Sequence, residues 1–153
     1  MYVYLLALLI GIVAGLRAMT APAAVAWAIY FGHPDVSGTW LAFLTNVWVR
    51  WILTVLALVE LVTDQLPSTP SRTVPVQFCA RVLTGALSGA AVVATSGSWV
   101  GGLLAGGVGA TVGTLGGRAC RAKLATAFSS DRSAAFAEDA VAIGGALLIG
   151  ILR

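Results

Sequence analysis

The sequence predicts an all-α, polytopic helical membrane protein, and three observations carry that prediction. Of its 153 residues 59% are hydrophobic and only 10% are charged, whereas a soluble domain carries about 25% charged residues, so the polar coat is too thin for a water-facing surface. The mean hydropathy is +0.94. Apolar stretches long enough to cross a bilayer alternate with short turn-forming clusters. At about 20 residues per span, the length accommodates one integral membrane domain over residues 1–153, with about five spans plus a broken or re-entrant first segment. A soluble catalytic domain has no room. The net charge of +3 does not point to nucleic acid, because the basic residues gather in particular loops and so report topology.

The first segment is apolar from Met1 and has no Lys or Arg before Arg17, so it lacks the basic start of a cleaved secretory signal. The apolar pattern resumes at residues 21–31 after Gly15-Leu16-Arg17-Ala18-Met19-Thr20-Ala21-Pro22. One straight helix over residues 2–31 would measure about 45 Å against about 30 Å of hydrocarbon. Two shorter helices joined at a break fit better, with Thr20 as the cap and Pro22 in the first turn of the second.

His33-Pro34-Asp35-Val36-Ser37-Gly38 is a turn cluster. A second long span is expected over residues 40–62, with Trp40, Trp48 and Trp51 near an interface. The loop Leu66-Pro67-Ser68-Thr69-Pro70-Ser71-Arg72 follows, and Thr73 before Val74-Pro75 opens a helix running to about Thr95. Ser96-Gly97-Ser98 reverses the chain. A span over residues 99–117, a basic loop over 118–132 and a final span over 134–152 complete the order. Arg72, Arg118, Arg121, Lys123 and Arg132 then share one side, which the positive-inside rule makes cytoplasmic.

Glycine is the densest local signal. Gly101, Ala105, Gly109, Gly113 and Gly117 recur every four residues, and Gly102 with Gly106, Gly85 with Gly89, and Gly11 with Gly15 repeat the spacing. Small residues at this interval let helix backbones approach in lipid, within one chain or between subunits of a homo-oligomer. Residues 8–15 also resemble residues 103–110, a likeness that Gly/Ala composition alone can produce.

The intramembrane charges bear most directly on function. Arg17 sits at the break, and Arg50 and Arg81 lie inside apolar stretches. An Arg at mid-bilayer costs about 2.5–3.5 kcal/mol on insertion scales, so each needs a partner or a task. Glu60 and Asp64, on one helix face at i and i+4, and Glu138 and Asp139 at the start of the last span are the candidate partners. Counting outward from the 66–72 loop puts Glu60 and Arg81 at similar depth in a hairpin. Arg17 beside a helix start resembles an anion site built from a guanidinium and free N–H groups; a kinked helix pairing Arg17 with Glu60 or Glu138 is the other arrangement. Arg50 can alternatively snorkel to the interface.

The expected function is therefore a small membrane transporter or lipid flippase. An anionic small molecule or lipid phosphate would be held by Arg17, Thr20, Arg50 and Arg81, with Glu60, Asp64, Glu138 and Asp139 as coupling groups or ion-pair partners. The alternative is a non-transporting scaffold whose charges are structural. Enzyme chemistry, a metal and a cofactor are not expected: His33 is the only histidine, Cys79 and Cys120 form no ligand cluster, and no HExxH or P-loop motif occurs. Membrane lipids are the expected partners.

Several of these segments together resemble a known family. Gly15-Leu16-Arg17 with Thr20-Ala21-Pro22, Glu60-Leu61-Val62 with Asp64 and Leu66-Pro67, Pro70-Ser71-Arg72, and Arg81 with Gly85-Ala86 are similar in order and spacing to the bacterial membrane protein family of domain of unknown function 4126. Glu138-Asp139 before an apolar helix is similar too, while Gln65 stands where that pattern carries a lysine. The resemblance implies a helical protein of the bacterial cytoplasmic (inner) membrane and brings no activity with it.

Overall fold

The computed structural model describes residues 1–64, 74–128 and 131–152, with the backbone alone at 125–128, 131, 132 and 134. Among the described residues all regular structure is helical. The order is α1 (Tyr2–Leu16), α2 (Thr20–Tyr30), a 3-10 helix (Trp40–Thr45), α3 (Val47–Thr63), α4 (Pro75–Val93), α5 (Trp99–Phe128) and α6 (Asp131–Leu152). Among the described residues three stretches are long and apolar enough to cross a membrane by length and composition: Pro75–Val93, Trp99–Leu124 and Ala135–Leu152. Helices α1 and α2 are apolar but shorter. The 66–72 loop, Thr73, Ser130 and Arg153 lie outside the described residues, as does the side chain of Arg132.

The first segment is indeed broken, and its two helices form a hairpin that returns to the end where it began. The Tyr2 hydroxyl donates to the Leu152 carbonyl at 3.0 Å, and the Ser98 N–H donates to the Tyr4 hydroxyl at 2.9 Å. Helix α1 thus starts beside the end of α6 and the start of α5. The chain returns through α2, whose Ala28 lies against Gly150, and the rings of Trp40 and Trp99 then meet edge-on with centroids 5.9 Å apart. We call this the Trp99 end and the opposite one the Arg121 end. Fifteen residues of α1 at about 1.5 Å each reach about 22 Å inward, short of the roughly 30 Å of a hydrocarbon core.

Five of the expected segments differ at a boundary, among them the last, α6, which opens at Asp131 inside the expected basic loop and not at 134. Met19, not Thr20, is the N-cap of α2, and Thr20 is its first helical residue. The stretch expected as one span over 40–62 is divided. Thr39 caps the 3-10 helix by accepting from the Leu41 N–H, and Asn46, extended at ψ 130°, caps α3 by accepting from the Trp48 N–H. Arg50 is consequently one turn into α3 and not at mid-span. Helix α4 opens with Val74 as N-cap and Pro75 in its first turn and ends at Val93, two residues early. Finally, α5 does not stop at Gly117 but runs 30 residues, so Arg118, Arg121 and Lys123 ride on a helix and not in a loop. Ala, Arg, Lys and Leu are good helix formers, and nothing between 117 and 128 breaks the helix.

Helix α5 packs chiefly on α1 and α4, which also pack on each other; α6 lies against α5, α1 and α2, and α3 leans on α2 and the 3-10 helix. At the meeting of α1, α4 and α5 stands Gly106. A methyl group placed on Gly11 of α1 would lie 2.8 Å from the Cα of Gly106, and one on Gly89 of α4 would also lie 2.8 Å from it. Around this junction Leu6, Ile10, Ala14, Ala90 and Ala110 form part of the apolar core.

Candidate functional site

The break between α1 and α2 leaves two sets of backbone groups without helical partners: the last carbonyls of α1 and the N–H groups of the residues that lead into α2. Each set is met by a side chain of the sign that the helix dipole favours. Arg81, in the second turn of α4, donates from one terminal nitrogen to the carbonyls of Gly15 at 3.0 Å and Leu16 at 2.7 Å. Glu60, near the end of α3, accepts from the N–H groups of Ala18 at 2.7 Å and Met19 at 2.8 Å. The other terminal nitrogen of Arg81 lies 3.5 Å from Glu60 Oε1 and 3.6 Å from Asp64 Oδ2. Thr114 of α5 adds a weaker bond to the Gly15 carbonyl at 3.3 Å while also donating to Ala110.

Arg17 occupies the break itself. Its backbone is extended, at φ −141° and ψ 109°, which turns the side chain away from the axis of α1. The residue has no exposed surface. Its guanidinium forks between two carboxylates, pairing with Asp64 and Asp139, and its Nε donates to Asp139 Oδ1 at 2.6 Å. Arg81 is buried like Arg17, and Asp139 nearly so, whereas Glu60 and Asp64 are partly exposed. Two guanidiniums and three carboxylates from the hairpin, α3, α4 and α6 therefore form one network, close to the Arg121 end of the hairpin. Buried charges on this scale are tolerated when each is paired and hydrogen-bonded.

Of the residues singled out from the sequence, the structure brings together Arg17, Arg81, Glu60, Asp64 and Asp139. The Glu60–Arg81 pair matches the hairpin count. Arg17 has different partners from those expected, Asp64 one turn beyond Glu60 and Asp139 one residue beyond Glu138. Glu138 faces another way, with Arg121 at 3.8 Å. Thr20 is buried, but its hydroxyl makes no hydrogen bond and does not join the network. Arg50 is not part of it either: its guanidinium sits over the rings of Tyr30, 3.9 Å from the centroid, and Trp27, 4.9 Å from the centroid. The aromatic faces supply the attraction there. Trp27, which also donates to Thr54 at 3.0 Å, and Thr114 were not singled out from the sequence; an indole 23 residues from an Arg carries no local signal of contact.

The anion site expected at Arg17 is thus filled from within. The guanidinium faces Asp64 and Asp139, although its Nη2 makes no hydrogen bond, and the Ala18 and Met19 amides face Glu60, so the chain's own carboxylates stand where a bound anion would. Among the described residues no group of three or more His, Cys, Asp or Glu side chains is arranged to hold a metal ion, and Cys79 and Cys120 are free thiols. Compared with known proteins, the chain matches the family model described as domain of unknown function (DUF4126) over residues 4–152, the family it resembles by sequence. No curated protein and no solved structure matches it.

Proposed function

This chain belongs to the family of domain of unknown function DUF4126, and from that premise we propose that it is a non-transporting membrane scaffold or assembly protein whose buried charges are structural. One observation carries this reading. The groups at the break that would bind an anion, the Arg17 guanidinium and the Ala18 and Met19 N–H groups leading into α2, already face Asp64, Asp139 and Glu60. Such a network ties the α1–α2 hairpin to α3, α4 and α6. The glycines of α1, α4 and α5 support the same reading by letting those helices pack backbone to backbone. Self-association belongs with it, because α3 carries Trp48, Ile52, Val55 and Val59 exposed and available to a second copy.

A second reading, transport of an anionic substrate, draws on the break itself. Unwound backbone flanked by half-helices and ionisable side chains is how many carriers build their sites, and here it would require Asp139 or Glu60 to swing away as substrate enters. Vesicles loaded with inorganic phosphate and containing the purified protein test the two. The scaffold reading expects phosphate release no faster than from empty vesicles. Release above that level, lost in Arg17→Lys, whose single ammonium cannot grip an anion as a planar fork does, would overturn it in favour of transport.

We also assign the Arg121 end to the cytoplasm of a bacterial cell, across its cytoplasmic membrane. Arg118, Arg121 and Lys123 lie together on the last turns of α5, and Ala122 is about 35 Å along α5 from Trp99, beyond the hydrocarbon. Single cysteines at Ser37 and Ala122, in a protein with Cys79 and Cys120 replaced by serine, are expected to react with a membrane-impermeant thiol reagent from outside and from inside respectively. Labelling of both from one side would contradict the assignment.

A further inference from the structure

Beside α2 runs an apolar groove that the ion network does not use. Helix α3 packs on one flank of α2 and α6 on another, so the short helix forms a floor between two long walls. The narrower part of the groove, about 190 Å³, is bounded by Thr20 and Leu61. Toward the Trp99 end it widens to about 520 Å³ between Phe31, His33 and Ile151. Ala24 and Trp27 line both parts. The 11 residues of α2 rise about 16 Å, half the roughly 30 Å thickness of the hydrocarbon. The groove is therefore one leaflet deep.

Two observations identify what fits it. Among the described residues no Asp or Glu lines either part, and His33 stands at the wide mouth. Arg50 lies one ring away, its guanidinium over the same Trp27 that floors the groove. It is only 7% exposed, its Nε has no hydrogen-bond partner, and no carboxylate pairs with it among the described residues. Arg50 itself lines neither part, but a cation without a carboxylate partner behind Trp27 favours a phosphate group at the mouth. We propose that the α2 groove holds one acyl chain of a glycerophospholipid from the leaflet at the Trp99 end, its headgroup phosphate drawn to the mouth beside Arg50 and His33. This proposal stands apart from the scaffold reading, since it uses none of the network residues.

Native mass spectrometry of the full chain, stripped of annular lipid in detergent and then given phosphatidylglycerol, tests it. One retained lipid per chain is expected. Ala24→Phe with Ala28→Phe, which fills the floor, abolishes retention at an unchanged melting temperature. Arg50→Gln weakens retention of phosphatidylglycerol roughly tenfold, the size of one nearby charge in a poorly solvated site, while leaving that of uncharged diacylglycerol as it was. A second measurement does not depend on the filled variant folding. With Trp40, Trp48, Trp51 and Trp99 replaced by Phe, quenching of Trp27 by phosphatidylglycerol brominated on its acyl chain is expected to saturate at one equivalent. No stoichiometric lipid, unsaturable quenching, equal retention by Arg50→Gln, or a second protein copy found in the groove would each overturn the proposal.

Discussion

Arg17→Ala is expected to destabilise the detergent-solubilised protein by about 3–5 kcal/mol, the usual cost of removing one partner from a buried ion pair. The variant leaves Asp64 and Asp139 facing each other across the space of a guanidinium that is itself wholly buried. Three carboxylates then face the single cation Arg81. Adding Asp64→Asn and Asp139→Asn should return most of the loss, because the buried like charges disappear with the cation that offset them. Glu60→Gln should not rescue Arg17→Ala and should add to its cost: Glu60 accepts from the Ala18 and Met19 amides, and a neutral amide side chain answers the positive end of α2 less well. Arg17→Lys should fall between, since a point charge cannot fork to two carboxylates as a guanidinium does. Unfolding midpoints across this set check the assignment. A wild-type midpoint for Arg17→Ala, or rescue by Glu60→Gln alone, would refute the network as the element that holds the hairpin.

How much of this was legible in the sequence depends on the distance over which each signal acts. The break after Gly15 was readable because length alone forbids one straight helix, and the Glu60–Arg81 pair because two helices joined by a short loop return to the same depth. The choice of Asp139 over Glu138 was not readable. Adjacent helical residues differ by about 100° in direction, and which one faces Arg17 is set by how α6 rolls against α1 and α2. The Arg50 contacts were hidden for a related reason: they depend on the chain folding back after the break, which brings Trp27 and Tyr30 of α2 alongside α3. The continuation of α5 beyond Gly117 was misread although the signal was local. A cluster of Arg and Lys suggests a loop by its charge, yet those residues favour helix.

Gly106→Ala is expected to be among the most damaging single-methyl changes in the chain, costing about 3 kcal/mol or more, at the upper end for overpacking. A Cβ at Gly106 would collide with the carbonyl of Gly85, lying 2.9 Å from its carbon and 3.1 Å from the Cα of Gly89. These are backbone atoms of α4, which cannot turn aside as a side-chain tip can. Nor can α5 back away from α4 without disturbing its other flank, where Gly109 and Gly113 lie against the backbone of Leu8 and Ile12 in α1. The methyl must therefore separate whole helices, and in lipid little hydrophobic drive exists to draw them together again, so lost dispersion contacts are lost outright. Gly144→Ala is the matched control: a Cβ there meets nothing within 4 Å, and the change should be neutral or stabilising by up to about 1 kcal/mol through helix propensity. Melting of the two variants under the same detergent conditions reads the difference. Equal midpoints would mean that α4 and α5 do not approach through Gly106, and the three-helix junction with α1 would have to be redrawn.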